Sequence, residues 1–308
     1  MTRRDLLLLA AGAAAVTGRS ANAAKPLRGI FPIMQTPFTE AGALDLDSLG
    51  KQVRFLDRCG AHGAVWPQLA SEWDMLSDNE RAEGAEAIAA AAKTLKLAIV
   101  LGVQSTSAEK SLQYARQAER LGADGIISLP PGERVAEYYA QIGRATSLPL
   151  FVQAVGNMTP EQIIEMSKKT PTLRFVKDEA GQPLNRVRAL REAGLHVFSG
   201  NHGKTLIEEM RRGFSGSMPA AAFADLYAQT WDLLQAGKHR EAMEMHARTL
   251  LVLTDMGLYG FEGLKYPLVV RGVFGTWKVR KKDEARLTEE GKRALGEALG
   301  FVKPWLRG

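Results

Sequence analysis

"LPLFVQAVGNMTPEQIIEMSKKTPTLRFVKDEAG", residues 148–181, sets two short apolar runs on either side of one amphipathic stretch. The runs at 148–155 and 173–177 have the length of buried strands. Between them, Thr159-Pro160-Glu161-Gln162 opens a helix, with proline at the first helical position, where its missing N–H is of no consequence. Strand, helix, strand is a crossover unit, and crossovers join parallel strands. The second strand ends in Lys177, followed at once by Asp178 and Glu179.

The same alternation extends in both directions. "GIFPIMQTPF" (29–38), "GAVWPQL" (63–69), "AIVLGV" (98–103) and "GIISLPP" (125–131) precede it, and "HVFSG" (196–200) and "GSMPAAA" (216–222) follow. Helical patterns lie between, at 46–60 and 78–96 for example, with capping-box spacing at Ser77/Glu80 and Thr106/Glu109. Eight such units predict an α/β fold, a (β/α)8 TIM barrel over residues 24–236. Further helical patterns at 238–256 and 287–302, with "EGLKYPLVVRG" between them, predict C-terminal helices packed on the barrel over 237–308. No Gly/Ser/Pro-rich linker separates the two parts.

Residues 1–23 are set apart from this fold. Paired Arg3 and Arg4, an apolar run from Leu6 to Val16 and the small-x-small ending Ala21-Asn22-Ala23 have the form of a cleaved export signal of twin-arginine type. The run is too short to span a bilayer stably, so the expectation is a periplasmic protein with no stable membrane anchor. This segment carries three arginines and one aspartate, and its removal lowers the formal charge from +6 to +4. No basic run with interleaved aromatics points to nucleic acid. A single cysteine, Cys59, excludes an internal disulfide, and the five histidines have no metal-ligand spacing, so neither a metal nor a cofactor is expected.

In a barrel of this kind chemistry sits where the strands end. Alternation places Leu173, Phe175 and Lys177 on one face, so the amine is expected to rise above a packed interior layer. At the unperturbed pKa of ~10.4, roughly one lysine amine in 2,500 is neutral at pH 7, and burial raises that fraction. A neutral amine attacks a ketone to form a Schiff base, which draws electrons from the adjacent carbon. The opposing term is charge: alternation turns Asp178 to the other face but keeps Glu179 beside the lysine. Spacing alone leaves both a nucleophile and a structural ion pair open.

From "GIFPIMQTPF" through "LRFVKDEAG" to "GSMP" the chain resembles the dihydrodipicolinate synthase/N-acetylneuraminate lyase family. "TPF" (36–38), "SEWDMLSDNER" (71–81) and the lysine ending the sixth strand fall in family order. The resemblance implies a (β/α)8 barrel with C-terminal helices, usually a homotetramer built from dimers, and makes Lys177 the Schiff-base lysine. Three departures stand out. "QLASE" (68–72) has Leu69 and Ala70 where the family carries two threonines that hold a substrate carboxylate. Gln153 stands where a tyrosine relays protons, and a glutamine amide orients a ligand but does not titrate. The loop after Gln153 lacks the arginine that synthases use.

The expected function is therefore a Schiff-base-forming lyase acting on a small 2-oxo acid by aldol cleavage, condensation or dehydration, and not a true dihydrodipicolinate synthase. The alternative is a barrel that binds a carbonyl compound or anion without turnover. Lys177 and Gln153 are the expected catalytic residues, with Thr36, Ser71, Glu72 and Asn201 as substrate contacts. Glu72 also suits a structural pairing, and Asn201 a solvated turn. "SGNHGKTL" (199–206) imitates a phosphate-binding loop but has Phe198 where its first glycine belongs. The expected partners are the 2-oxo acid and further copies of the chain, as a dimer or tetramer.

Overall fold

A computed structural model describes residues 25–282 and 285–308; the expected export signal lies outside them. Among the described residues, eight parallel strands form one sheet: β1 (Gly29–Ile30), β2 (Gly63–Trp66), β3 (Ala98–Gly102), β4 (Gly125–Ser128), β5 (Leu150–Ala154), β6 (Leu173–Asp178), β7 (His196–Ser199) and β8 (Gly216–Ser217). They pair in the order β1-β8-β7-β6-β5-β4-β3-β2. The remaining seam is closed by backbone. His62 N donates to Ile30 O at 2.9 Å, Val65 N to Pro32 O at 3.0 Å and Met34 N to Val65 O at 2.9 Å. The sheet is thus a barrel.

Helices α1 (Leu46–Arg58), α2 (Asp78–Ala92), α3 (Ala108–Leu121), α4 (Val135–Ala145), α5 (Pro160–Lys169), α6 (Pro183–Glu192), α7 (Leu206–Arg211) and α8 (Ala224–Gln235) alternate with the strands. Two of their starts follow the expected chemistry. Ser77 and Glu80 cap α2 reciprocally, and Thr159 and Gln162 do the same for α5 with Pro160 in the first turn. At α3 the expectation fails. The helix begins after Ser107, not Thr106, so Glu109 falls one position short of reaching back to the cap, and Ser107 makes no side-chain cap bond.

Side chains fill the barrel itself. Phe31, Val65, Val100, Ile127, Phe151, Phe175, Phe198 and Met218 form an inner cluster separate from the layer between sheet and helices. Phe151 stacks on Phe175 with centroids 4.4 Å apart, and Phe198 meets Phe31 and Phe151 edge-on at 5.2 and 5.4 Å. Such rings fit only where neighbouring strands give up volume. A Cβ on Gly63 would lie 2.2 Å from the Phe31 ring, and one on Gly216 would lie 2.4 Å from Phe198.

One expected alternation is broken. Leu173 belongs to the outer layer, with Leu150 opposite it, whereas Phe175 faces the interior. A register shift between Leu150 and Phe151 inserts Arg174 on β6, so the period of two holds only from Phe175 onward. Lys177 keeps its place above Phe175.

After α8 the chain runs through α9 (His239–Gly257), α10 (Gly260–Val270) and α11 (Glu289–Val302). Helix α10 takes in most of the stretch "EGLKYPLVVRG" (262–272), and Pro267 inside it masks the helical pattern. The corner between α9 and α10 lies over the strand ends.

Gly63→Ala should lower stability by about 1–3 kcal/mol, the usual cost of overpacking, as a lower urea midpoint. Adding Phe31→Leu should recover part of the loss.

Candidate active site

The site is assembled from the ends of β5, β6 and β7. Lys177 is only 4% exposed, yet it lines a cavity of about 650 Å³ at the mouth of the barrel. Its Nζ lies 3.1 Å from Oε1 of Glu179, which shares the cavity. Gln153 is directly opposite Lys177 in the β5–β6 register, and its Nε2 donates to the other carboxylate oxygen of Glu179. The side chain of Gln153 is fully buried, and its Oε1 makes no hydrogen bond. Gly200, after β7, completes the arrangement, since a Cβ there would fall 2.2 Å from Cγ of Glu179.

The neighbouring acid is turned away, as the pleat requires. Asp178 faces α6, where Arg186 Nε lies 3.2 Å from its Oδ2. Burial raises the Asp178 carboxyl to about 6, with Arg186 opposing the shift. So Lys177 has an acid at its side and open space before it: an ion pair and a reachable amine at once.

The cavity walls are mostly apolar. Ile33, Met218, Leu253, Met256, Phe261 and Leu264 contribute, the last four from α9 and α10. His202, Lys204 and Lys281 bring further polar groups, and burial together with the nearby Lys204 and Lys177 charges lowers the His202 pKa. Among the described residues that line this space, Glu179 is the only acid and no tyrosine is present. Tyr138 and Tyr139 are tied instead to β4: Tyr138 Oη lies 2.7 Å from Ser128 Oγ, and Tyr139 Oη donates to Ser128 O at 2.6 Å.

The expected substrate contacts divide. Thr36 Oγ1 donates to Ser71 O at 2.5 Å and accepts from Trp66 Nε1 at 3.0 Å. Ser71 Oγ donates to Met34 O at 2.5 Å and accepts from Gln68 N at 3.0 Å. Both hydroxyls are engaged in fixing the β2 loop to the end of the first strand, which sets Leu69 and Ala70 in the cavity wall. Glu72 is fully buried and ion-paired with the equally buried Lys265 of α10; it also accepts from the amides of Arg280 and Lys281 at 2.8 Å each. Burial lowers Lys265 to about 8, and Glu72 opposes that shift. Asn201 is exposed and donates to Thr205 Oγ1 at 3.2 Å; its neighbour His202, not Asn201, lines the cavity.

A model of the dihydrodipicolinate synthetase family matches residues 26–299. The chain belongs to that family. Family members are lyases, and this chain is an enzyme of that type. It is 27% identical over 257 residues to the 4-hydroxy-tetrahydrodipicolinate synthase of Rhizobium meliloti (strain 1021), covering 78% of this chain and 87% of that one. It is 24% identical to the L-2-keto-3-deoxyarabonate dehydratase of Azospirillum brasilense, covering 70% and 75%. Among solved structures, a sialic acid aldolase of Ruminococcus gnavus superposes with a TM-score of 0.82 at 19% identity, covering 91% of this chain and 99% of that one. That likeness carries the barrel fold of the dihydrodipicolinate synthetase family and its C-terminal helices.

Two features were hidden in the sequence. Glu179 was visible only as a charge opposing the amine, because nothing local shows that Gln153 would hold it. The Glu72–Lys265 pair joins positions far apart in the chain, and no periodicity announces such a contact.

Lys265→Met should destabilise the protein by about 3–5 kcal/mol, since it leaves the Glu72 carboxylate buried without its cation. The double variant with Glu72→Leu should regain much of the loss in melting temperature. For Asp178, the folded chain retains a proton between about pH 4 and 6 that the unfolded chain has released. Stability contributed by this group therefore falls as pH rises through that window. Asp178→Asn should gain in urea midpoint relative to the parent between pH 4 and 6.

Proposed function

We propose that the protein is a Schiff-base-forming lyase in which Lys177 captures a small 2-oxo acid, followed by aldol cleavage, condensation or loss of water. The observation that carries this reading is an amine held almost out of bulk water at the floor of a 650 Å³ cavity, above a packed barrel interior. The cavity gives a ketone access to this amine, which attacks a carbonyl carbon once it has given up its proton. Lys204 adds positive charge along the lining, which favours an anionic substrate, whereas Lys281 is paired with Asp74 at 2.6 Å. The naming of relatives as synthase and dehydratase supports the reaction class. Synthase activity itself is disfavoured: the stretch after Gln153, "AVGNM", carries no arginine to receive a second carboxylate.

In this reading Gln153 orients the reacting groups, while Thr36 and Ser71 shape the substrate wall through Leu69 and Ala70. Glu72 acts through its hold on the 280–281 stretch, and Asn201 through the turn that presents His202. The iminium itself draws the electrons, so this reading calls for no cofactor. We further infer a homo-oligomer, dimer or tetramer, from the family likeness, and export to the periplasm from the twin arginines and the Ala21-Asn22-Ala23 ending.

A second reading, binding without turnover, draws on the engagement of the Thr36 and Ser71 hydroxyls with backbone and on a cavity without tyrosine. Borohydride reduction in the presence of pyruvate and a panel of 2-oxo acids separates the two. A mass adduct on Lys177 with cleavage or dehydration of a panel member supports the lyase; an adduct without any turnover supports the binding protein. If Lys177→Ala still forms the adduct, the amine assignment is wrong.

A further inference from the structure

We propose that Glu179 is the catalytic acid and base of this site, carrying the protons that a tyrosine would otherwise relay, with Gln153 and Gly200 as its positioning residues. The proposal rests on the Schiff-base reading of Lys177. Its own support is geometric. One carboxylate oxygen of Glu179 lies 3.1 Å from Lys177 Nζ, and the other accepts from Gln153 Nε2. Gln153 cannot itself take a proton, but its amide fixes the carboxylate so that Oε1 faces the amine. The bare backbone at Gly200 provides the space: any larger residue would displace the Glu179 side chain.

The other buried acids of the barrel are differently placed. Asp178 pairs with Arg186, Glu72 with Lys265 and Asp225 with Arg271, and Glu209 accepts from Ser199 and Thr205 at 2.6 Å each. None of these lines the cavity. Among the described residues, Glu179 alone combines contact with the amine, a neutral amide as its second partner, and an open side facing the space where substrate would sit.

The steps balance with this one group. The Lys177 ammonium passes a proton along the 3.1 Å contact to Glu179, leaving a neutral amine. The amine nitrogen bonds to the substrate C2, and the carbonyl oxygen, now an alkoxide, takes the proton from Glu179. The carboxylate then removes a proton from the added nitrogen and returns it to the hydroxyl. The hydroxyl departs as water while the nitrogen lone pair closes the iminium. Glu179, again a carboxylate, takes a proton from C3. The C–H electron pair becomes the C2–C3 double bond, and the iminium π pair returns to nitrogen, giving an enamine. Return of that proton to C3 reverses the step.

Enamine formation is measurable without knowing the second substrate. The full mature chain, incubated with pyruvate in deuterium oxide, should exchange the methyl protons, followed by NMR against an enzyme-free control. Borohydride trapping on Lys177 reports the covalent step separately. Glu179→Gln is expected to leave an adduct that traps on prolonged incubation and to slow exchange roughly a hundredfold or more. Acetate or formate should restore exchange in Glu179→Ala in a concentration-dependent manner, a response that a purely structural role would not give. Gly200→Ala should also slow exchange while trapping persists. If Glu179→Gln does not fold, Glu179→Asp is measured in the same way, and slowed exchange with intact trapping is again expected. Absence of trapping in the parent protein would remove the Lys177 reading itself. Trapping with undiminished exchange in Glu179→Gln would overturn the Glu179 proposal alone. So would trapping without exchange in the parent, or loss of exchange in His202→Ala but not in Glu179→Gln.

Discussion

The interior of this barrel is plugged by aromatic rings, and the rest of the architecture answers to that plug. Phe31, Phe151, Phe175 and Phe198 contact one another across the axis, leaving no room for a side chain at Gly63 or Gly216. With the volume beneath it filled, the side chain of Lys177 has nowhere to go but the mouth. The floor of the cavity is therefore apolar and closed, and an amine on it is shielded from below by rings and from the sides by strands. Close packing of this kind transmits position: where Phe175 is seated, the next inward residue of β6 is seated too.

Above the floor, charge is distributed unevenly and by direction. The pleat of β6 sends Asp178 outward to Arg186 and keeps Glu179 inward beside Lys177, so two adjacent acids serve different neighbours. The outward acid belongs to the union of strand and helix. The inward one faces the cavity, restrained by a neutral amide from β5. Breaking the pleat by one residue within 175–179 would exchange the two environments; the irregularity in β6 lies at Arg174, before the interior register begins.

Much of this was legible from sequence, and the reasons for success and failure are physical. The crossover units could be read because each strand is a compact apolar run and several helices open with caps whose partners are three residues away. Lys177 could be placed because the alternation from Phe175 to the strand end is unbroken. Leu173 was assigned to the wrong face because a bulge changes the count without any mark in composition. Thr36 and Ser71 have the right chemistry for a ligand, but hydroxyls near a loop satisfy backbone carbonyls first, and which carbonyls come near is a tertiary fact. Glu72 was legible as an acid in an active loop but not as the partner of Lys265, nearly two hundred positions onward. Helix α10 was concealed by Pro267.

The α9–α10 corner gives the molecule a ceiling furnished by a part of the chain that contributes no strand. Leu253, Met256, Phe261 and Leu264 line the space from above, while the Lys177 amine is supplied from below by β6. The apolar ceiling and the amine of the floor are thereby written in separate stretches of the polypeptide. A lineage could re-tailor which molecules are admitted by editing a helical hairpin, and leave the strand that carries Lys177 untouched.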